Sequence, residues 1–329
     1  MVEVLVEDRL HSGVSKKKRT FSLILPSFAL SLCPEMNKLK VKGYVAGILA
    51  AIFYGTNPLG SLHLYADGIN PATVLFYRYA LATVMFAVVM LLRRESFAIR
   101  CGHAIRLMCL GAFMAYSSVT LYVSFLYMDA GVASTILFSY PVMVAVLMAV
   151  FYHEHITWTS TFSIILATFG ISLLYNLGGG QKLSALGMTL VLLSSLLYAV
   201  YIIAVQRSHM PYSALTFTFW IVLFGLVAIL VYAAFAGEPL HMLHGAKEWL
   251  CATQLALLPT VLSLLLMTIA INNIGPTPSA ILGALEPVTA VVIGVTVFGE
   301  SFTLRLAVGI VLILSAVILI IRGAKSSQS

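Results

Sequence analysis

The chain reads as an all-α integral membrane protein with ten transmembrane helices, arranged as two inverted five-helix repeats. Three observations predict this. Apolar residues make up 60% of the 329 residues and charged residues only 9%, against roughly 25% charged in a soluble domain. The apolar residues gather in runs close to the ~20 that one helix needs to cross a bilayer core. Prolines and glutamates recur at one offset in the two halves of the chain. Nineteen Lys plus Arg against twelve Asp plus Glu give a formal charge of +7, but the charges sit in short clusters between the apolar runs. That distribution is a poor match to a soluble globular enzyme, a disordered tail or a nucleic-acid binder with a basic face. Cys33, Cys101, Cys109 and Cys251 have no paired spacing, so neither a disulfide framework nor a zinc knuckle is indicated.

The spans fall near residues 43–63, 71–92, 105–127, 131–152, 157–175, 184–205, 212–235, 249–271, 277–298 and 303–321. Turn chemistry and charge separate them, as at Asp67-Gly68-Ile69-Asn70-Pro71, Asp129-Ala130-Gly131, Gly178-Gly179-Gly180 and Gly275-Pro276. Residues 1–35 carry a basic run, Lys16-Lys17-Lys18-Arg19, then a weakly apolar stretch interrupted by Pro26. The stretch is too short for a further span, and the residues ahead of the basic run weaken a signal-peptide reading. A disordered leader is expected there, with Met36 as the start. The first repeat then covers 36–176, a Gly-rich linker 177–183, the second repeat 184–322 and a tail 323–329. One set of alternate loops and chain ends collects Lys38, Lys40, Lys42, Arg93, Arg94, Arg100, Arg106, Arg207, Arg322 and Lys325. The other set collects Lys182, Lys247 and Arg305. By the positive-inside rule both termini are expected in the cytoplasm, which an even number of spans requires.

Pro141 and Pro287 lie 146 residues apart, as do Glu154 and Glu300. At that offset Ser139-Tyr140-Pro141-Val142 overlays Leu285-Glu286-Pro287-Val288. Gly43 with Gly187, and Tyr54 with Tyr198, share an offset of 144. An odd number of spans per half turns the second copy upside down. Inverted repeats are an architecture for alternating access around a site near the bilayer midplane.

The segment from Asn273-Ile274-Gly275-Pro276 through Leu285-Glu286-Pro287-Val288 to Phe298-Gly299-Glu300, followed by an apolar run with Gly309, resembles the second repeat of the EamA branch of the drug/metabolite transporter superfamily. Tyr140-Pro141 through Glu154 resembles its first-repeat counterpart, and Phe53-Tyr54-Gly55-Thr56-Asn57-Pro58 and Arg78 fit the same pattern. The resemblance covers about residues 38–322. It implies ten helices, cytoplasmic termini and mostly export of amino acids, their derivatives and other small metabolites, without fixing the substrate.

Glu286 lies roughly 13–15 Å into the ninth span at about 1.5 Å per residue. An ionised carboxylate at that depth is costly and should pair or take up a proton. It is a substrate-amine contact or a proton-coupling group, or else a packing Glu that fixes its helix. Arg78, about 10 Å deep in the second span, is the natural partner to test. It can meet a carboxylate of Glu286 or of substrate, or it can be a structurally paired or snorkelling arginine. Pro141 and Pro287 cannot donate to the carbonyls of Leu137 and Gly283, nor Pro58 to that of Tyr54, so each is expected to kink its helix. The freed carbonyls then line a cavity or meet a neighbouring helix. Polar stripes at helical spacing run through Tyr54, Asn57 and Ser61; Tyr116, Thr120 and Ser124; Ser194, Tyr198 and Tyr201; and Thr260 and Ser263. Small hydroxyls of this kind usually serve helix contacts. Tyr54, Asn57, Tyr116, Tyr140, Tyr198 and Trp220 join Arg78 and Glu286 as substrate-binding candidates, with packing as the alternative for each.

Other signals point nowhere specific. His153-Glu154-His155 has the wrong spacing for a zinc motif, His241 and His244 fit a solvated loop, and Glu154 and Glu300 sit at span ends. There is no phosphate-cradling loop and no nucleophile–base pair at one depth, so no metal, cofactor or catalytic residue is assigned. The expected function is secondary-active export of small polar or amphipathic metabolites, amino acids first, with H⁺ as the coupling ion the buried carboxylate suggests. Expected partners are the small-molecule substrate, H⁺ and membrane lipid, with no nucleic acid, in a monomer or homodimer of the bacterial inner membrane. A passive facilitator or channel is the alternative, and an intramembrane enzyme a more distant one.

Overall fold

A computed structural model describes residues 38–127, 133, 136–153, 157–174, 184–208, 210–297 and 304–326. The leader, the 177–183 linker, Glu154, His155 and Glu300 lie outside the described residues. The helices are α1 (Lys38–Tyr54), α2 (Asn57–Ala66), α3 (Pro71–Leu92), α4 (Cys101–Ser124), α5 (Tyr140–Tyr152), α6 (Trp158–Leu174) and α7 (Ala185–Arg207) in the first part of the chain. They continue as α8 (Ala214–Ala236), α9 (Ala246–Ala256), a π-helical segment (Leu257–Leu262), α10 (Ser263–Ile274), α11 (Pro276–Leu282), α12 (Leu285–Val297) and α13 (Leu304–Ser326). Grouped by continuity they make ten spans: α1–α2, α3, α4, α5, α6, α7, α8, α9–π–α10, α11–α12 and α13. Six of these helical runs are long and apolar enough to cross a bilayer by length and composition alone, and spans 4, 5 and 10 supply shorter apolar helices.

The ends of the spans follow from local chemistry. Asn70 caps span 2, its Oδ1 accepting from Thr73 N at 2.8 Å, with Pro71 at the first helical position, where its missing N–H costs nothing. Ser213 caps span 7 in the same way, accepting from Thr216 N at 3.1 Å, and Gly237, at φ 65°, ends it. Placed inside a span, proline does the opposite. Span 1 is interrupted between Tyr54 and Asn57, just ahead of Pro58. Span 4 turns at Phe138–Ser139 before its helix resumes at Tyr140-Pro141, and span 9 turns at Gly283–Ala284 before Leu285-Glu286-Pro287. The freed carbonyls find different partners. That of Leu137 accepts from Ser195 Oγ of span 6 at 2.9 Å, whereas that of Gly283 accepts from Glu286 N at 2.9 Å in a tight turn.

Packing follows the repeat. Span 1 packs on span 8 and span 6 on span 3, while span 2 packs on span 7 and span 5 on span 10. Exchanging the two repeats turns the first pair into the second and maps each of the last two pairs onto itself. Such packing is what an inverted five-plus-five arrangement requires. In chain order the two halves run oppositely, so spans 2 and 7 are antiparallel neighbours.

Candidate functional site

The four interrupted spans converge on two buried ionisable side chains, Arg78 and Glu286. Arg78 is fully buried in span 2 and ties four spans together. Its Nε donates to Thr260 Oγ1 at 2.7 Å, one Nη to Tyr122 Oη at 3.0 Å and to Asn57 Oδ1 at 3.4 Å, and the other Nη to the Pro259 carbonyl at 3.4 Å. The guanidinium also lies 5.7 Å from the Tyr54 ring centroid and 5.8 Å from that of Tyr122, within cation–π range. A cation at the middle of a helix costs ~2.5–3.5 kcal/mol on insertion scales. Each hydrogen bond to a charged group returns about 1.5–3 kcal/mol, so this shell of neutral acceptors holds the charge without a carboxylate.

Two of the acceptors, the Thr260 hydroxyl and the Pro259 carbonyl, are aimed by the distortion at Pro259. Without an N–H it leaves the Leu255 carbonyl open, and the helix relaxes into π turns at Leu257–Leu262. The Thr260 hydroxyl closes the gap, donating to Leu255 O at 2.8 Å, and so presents its oxygen lone pairs to Arg78. Asn57, at the restart of span 1, accepts from Tyr122 Oη at 2.7 Å as well as from Arg78.

Glu286, 9% exposed, stands at the break in span 9. Gly55, in the break of span 1, packs on its backbone so closely that a Cβ there would lie 2.5 Å from the Glu286 carbonyl oxygen. The Tyr140 hydroxyl faces the Glu286 carboxyl, yet neither Tyr140 Oη nor Glu286 Oε1 completes a hydrogen bond of ordinary geometry among the described residues. Tyr140 and Glu286 hold equivalent positions at the 146-residue offset. Equivalent positions of two inverted copies meet only on the axis that relates them, so this acid–phenol pair marks that axis. Tyr198 packs beside this pair, its ring edge-on to Tyr140 at 4.9 Å between centroids and stacked on Tyr201 at 6.0 Å. Tyr54 is near both groups: its ring centroid lies 5.7 Å from the Arg78 guanidinium, and its hydroxyl is within electrostatic reach of Glu286.

Of the partners open to Arg78, the Glu286 carboxylate is not the one it takes among the described residues. The ion pair found among the described residues is Lys247–Asp67 at 3.6 Å. Depth along a helix is a single coordinate, and the guanidinium is turned toward spans 1, 3 and 8 instead. Tyr54, Asn57, Arg78, Tyr140, Tyr198 and Glu286 are brought together; two other candidates are not. Tyr116 is 36% exposed, while the buried polar face of span 3 carries Ser117, Ser118 and Tyr122. A step of four residues drifts by about 40° around a helix, so the stripe Tyr116, Thr120, Ser124 winds from the exposed side at Tyr116 to the buried side at Ser124. Trp220 packs between Phe219 and Phe224 at 5.4 and 5.5 Å, its indole N–H without an acceptor among the described residues. Ser194 and Ser117 hydrogen-bond each other's backbone across spans 6 and 3 at 2.7 and 3.0 Å, a packing role. Tyr122 and the Pro259 carbonyl were not singled out from the sequence. Tyr122 lies one helical turn beyond Ser118, and a mid-span Pro followed by Thr is the signal that marks the second.

The EamA-like transporter family model matches residues 41–176 and again 185–322. An uncharacterized transporter of Synechocystis sp. is 29% identical over 199 residues, 59% of this chain and 59% of its own length. An uncharacterized transporter of Bacillus subtilis, YdfC, is 25% identical over 181 residues, 55% of this chain and 59% of its own. One from Clostridium kluyveri is 20% identical over 284 residues, 83% of this chain and 91% of its own. The matches to the first two thus span well under two thirds of those relatives. A solved crystal structure is similar over 87% of this chain and 99% of its own, with a TM-score of 0.73 and 15% identity, a likeness of fold. With both repeats matched and multiple apolar spans to hold them in a bilayer, the chain belongs to the EamA-like transporter family.

Proposed function

We propose that the protein is a secondary-active exporter of small polar or amphipathic metabolites, amino acids first, working by alternating access around the cavity between its repeats. The observation that carries this reading is a buried guanidinium, Arg78, and a buried carboxyl, Glu286, that form no ion pair with each other and both lie near Tyr54. A zwitterion fits that arrangement: its carboxylate goes to the guanidinium, where a bidentate contact is natural. Its ammonium goes to Glu286 among the faces of Tyr54, Tyr140 and Tyr198, a cation-binding surround. With no substrate amine present, the ionised carboxylate is uncompensated, and a proton takes the amine's place. Substrate and H⁺ then compete for one carboxyl, which is the requirement for exchange of one against the other. In this reading both chain ends face the cytoplasm of a bacterial inner membrane, and one chain, alone or as one protomer of a homodimer, contains a complete site.

The test uses the purified chain in liposomes with a trapped pH dye and a panel of amino acids. Substrate-dependent proton movement that Glu286→Gln abolishes supports the reading. Substrate movement with no proton signal replaces coupling with exchange or facilitation. A Glu286→Gln protein that keeps both the rate and its pH dependence removes Glu286 from the mechanism.

A further inference from the structure

The two ends of spans 2 and 7 are tied to each other by the same chemistry on opposite faces of the membrane. On one face Glu95, just past the end of span 2, takes hydrogen bonds from the N-terminal residues of span 7: from Ser213 Oγ, and from Thr216 Oγ1 at 3.1 Å. On the other face Glu238, just past the end of span 7, accepts from Ala72 N in the first turn of span 2 at 3.2 Å, and from Tyr232 Oη at 3.1 Å. There Asn70 Nδ2 donates to the Pro239 carbonyl at 2.8 Å and His241 N to Thr73 Oγ1 at 3.1 Å. Asn70 with Ser213, Thr73 with Thr216, and Glu95 with Glu238 are each 143 residues apart, so one clasp is the repeat image of the other. In each, an acid that follows one helix sits at the positive N-terminal end of its antiparallel neighbour, which favours a negative charge.

The seam is also closed in the middle. Tyr79 of span 2 lies against Gly225 of span 7, where a Cβ would come within 2.7 Å of the ring, and its hydroxyl pairs with Ser118 of span 3 at 3.0 Å. Neither helix contains a break: span 2 runs 22 residues and span 7 runs 23. A gate parts at one face while the other stays shut. A pair pinned at both faces and at its centre, each pin joining one repeat to the other, has no end free to part. We infer that spans 2 and 7 are the fixed seam of the transporter. The Glu95 and Glu238 clasps keep its two ends together in every access state, and the interrupted spans 1, 4, 8 and 9 do the moving. This rests on the chain being a transporter and is independent of substrate, coupling and the role of Glu286.

The test measures distances, so it needs no substrate. Spin labels are placed on the full chain in nanodiscs, native cysteines replaced by serine, at Arg93→Cys with Pro211→Cys on one face and, toward the other, Phe76→Cys in the second turn of span 2 with Leu240→Cys. A third pair, Phe151→Cys with Asn272→Cys, spans the ends of interrupted spans 4 and 8. Pulsed dipolar spectroscopy in acid and alkaline buffer, and with the amino-acid panel added, should give one narrow distance for each of the first two pairs in all conditions. The third pair should give a second distance or a shift. Glu95→Gln should widen the first distribution alone and Glu238→Gln the second alone. A second distance at either end of the seam makes that end a gate and overturns the inference. So does a single unmoving distance for the third pair, or distributions that neither substitution widens.

Discussion

Spans 1, 4, 8 and 9 and spans 2, 3, 6 and 7 are built from similar apolar sequence, yet they differ where it matters for transport. The second group runs 22 to 24 residues without interruption. The first group is broken near mid-membrane, always beside a proline: Pro58, Pro141, Pro259 or Pro287. Pro71, in the first turn of span 2, does no harm, because the N–H it lacks has no helical partner there. Position within the helix, not the residue itself, separates a cap from a break. The breaks free carbonyls and bring side chains of different spans onto Arg78 and Glu286, so polar chemistry in this protein collects where helices are imperfect. The unbroken helices supply Arg78 and Tyr122 to that cluster and pair Ser117 with Ser194 across spans 3 and 6, and at the ends of spans 2 and 7 they carry the polar groups that clasp the two repeats.

The largest effect expected from testing that division is at Arg78. Arg78→Met should lower transport of carboxylate-bearing amino acids about hundredfold, ~2.7 kcal/mol in barrier. Asn57 and Tyr122 keep their own 2.7 Å hydrogen bond, so the fold should persist. Transport of the corresponding amino-acid amides should fall far less. Equal loss for acids and amides would make Arg78 a structural link among four spans and nothing more.

A matched pair of glycine substitutions comes next. A Cβ at Gly283 would occupy the place of the Tyr140 hydroxyl, forcing that ring away from Glu286. Gly283→Ala should therefore reduce transport about tenfold, ~1.4 kcal/mol, with the thermal midpoint less affected because a break already flexes there. Gly225→Ala meets the Tyr79 ring at 2.7 Å in the unbroken seam. Overpacking of that kind costs about 1–3 kcal/mol of stability, and transport per folded molecule should hold. Transport and melting measured on both variants check this. If the two respond alike, the division between moving and fixed spans fails.

Much of this was legible in the sequence, and the reasons for the rest are physical. Ten spans, the inverted repeat and the mid-span prolines at 141 and 287 follow from composition, offset and the missing N–H. The meeting of Tyr140 with Glu286 was contained in their 146-residue spacing, but only once an axis is known to pass between spans 4 and 9. Arg78 was found by its charge and depth, and its partners were not, because depth leaves rotation about the helix open. The π turns around Pro259 depend on whether a neighbouring hydroxyl can answer the open Leu255 carbonyl, and Thr260 does so at 2.8 Å. The clasps at Glu95 and Glu238 lie in loops, where apolar periodicity gives no signal.

A smaller effect in transport, and one of opposite sign in stability, is expected at Pro259. Pro259→Ala restores an N–H that competes with the Thr260 hydroxyl for the Leu255 carbonyl. The helix gains some part of the about 3 kcal/mol that an interior proline costs, and the melting temperature should rise. The Thr260 oxygen and the residue-259 carbonyl then lose their fixed aim at Arg78, so transport should fall several-fold. A variant that is both more stable and fully active would show that the π turns are incidental to the site.

The smallest effects belong to the caps of the seam. Asn70 and Ser213 are repeat images, each accepting from the N–H three residues on, at 2.8 and 3.1 Å. Losing such a cap costs ~1 kcal/mol, so Asn70→Ala and Ser213→Ala should each lower stability by about that amount in thermal unfolding. Asn70 also donates to the Pro239 carbonyl across the seam, whereas the Ser213 hydroxyl reaches Glu95, so each substitution loosens one clasp as well as one helix end. The two sites are on opposite faces and share no partner, and the double variant should lose the sum of the two within about 0.5 kcal/mol. A markedly larger loss in the double variant would mean that each clasp relies on the other through the length of the helix pair. A loss confined to one of them would mean that the repeat symmetry of the geometry does not extend to its energetics.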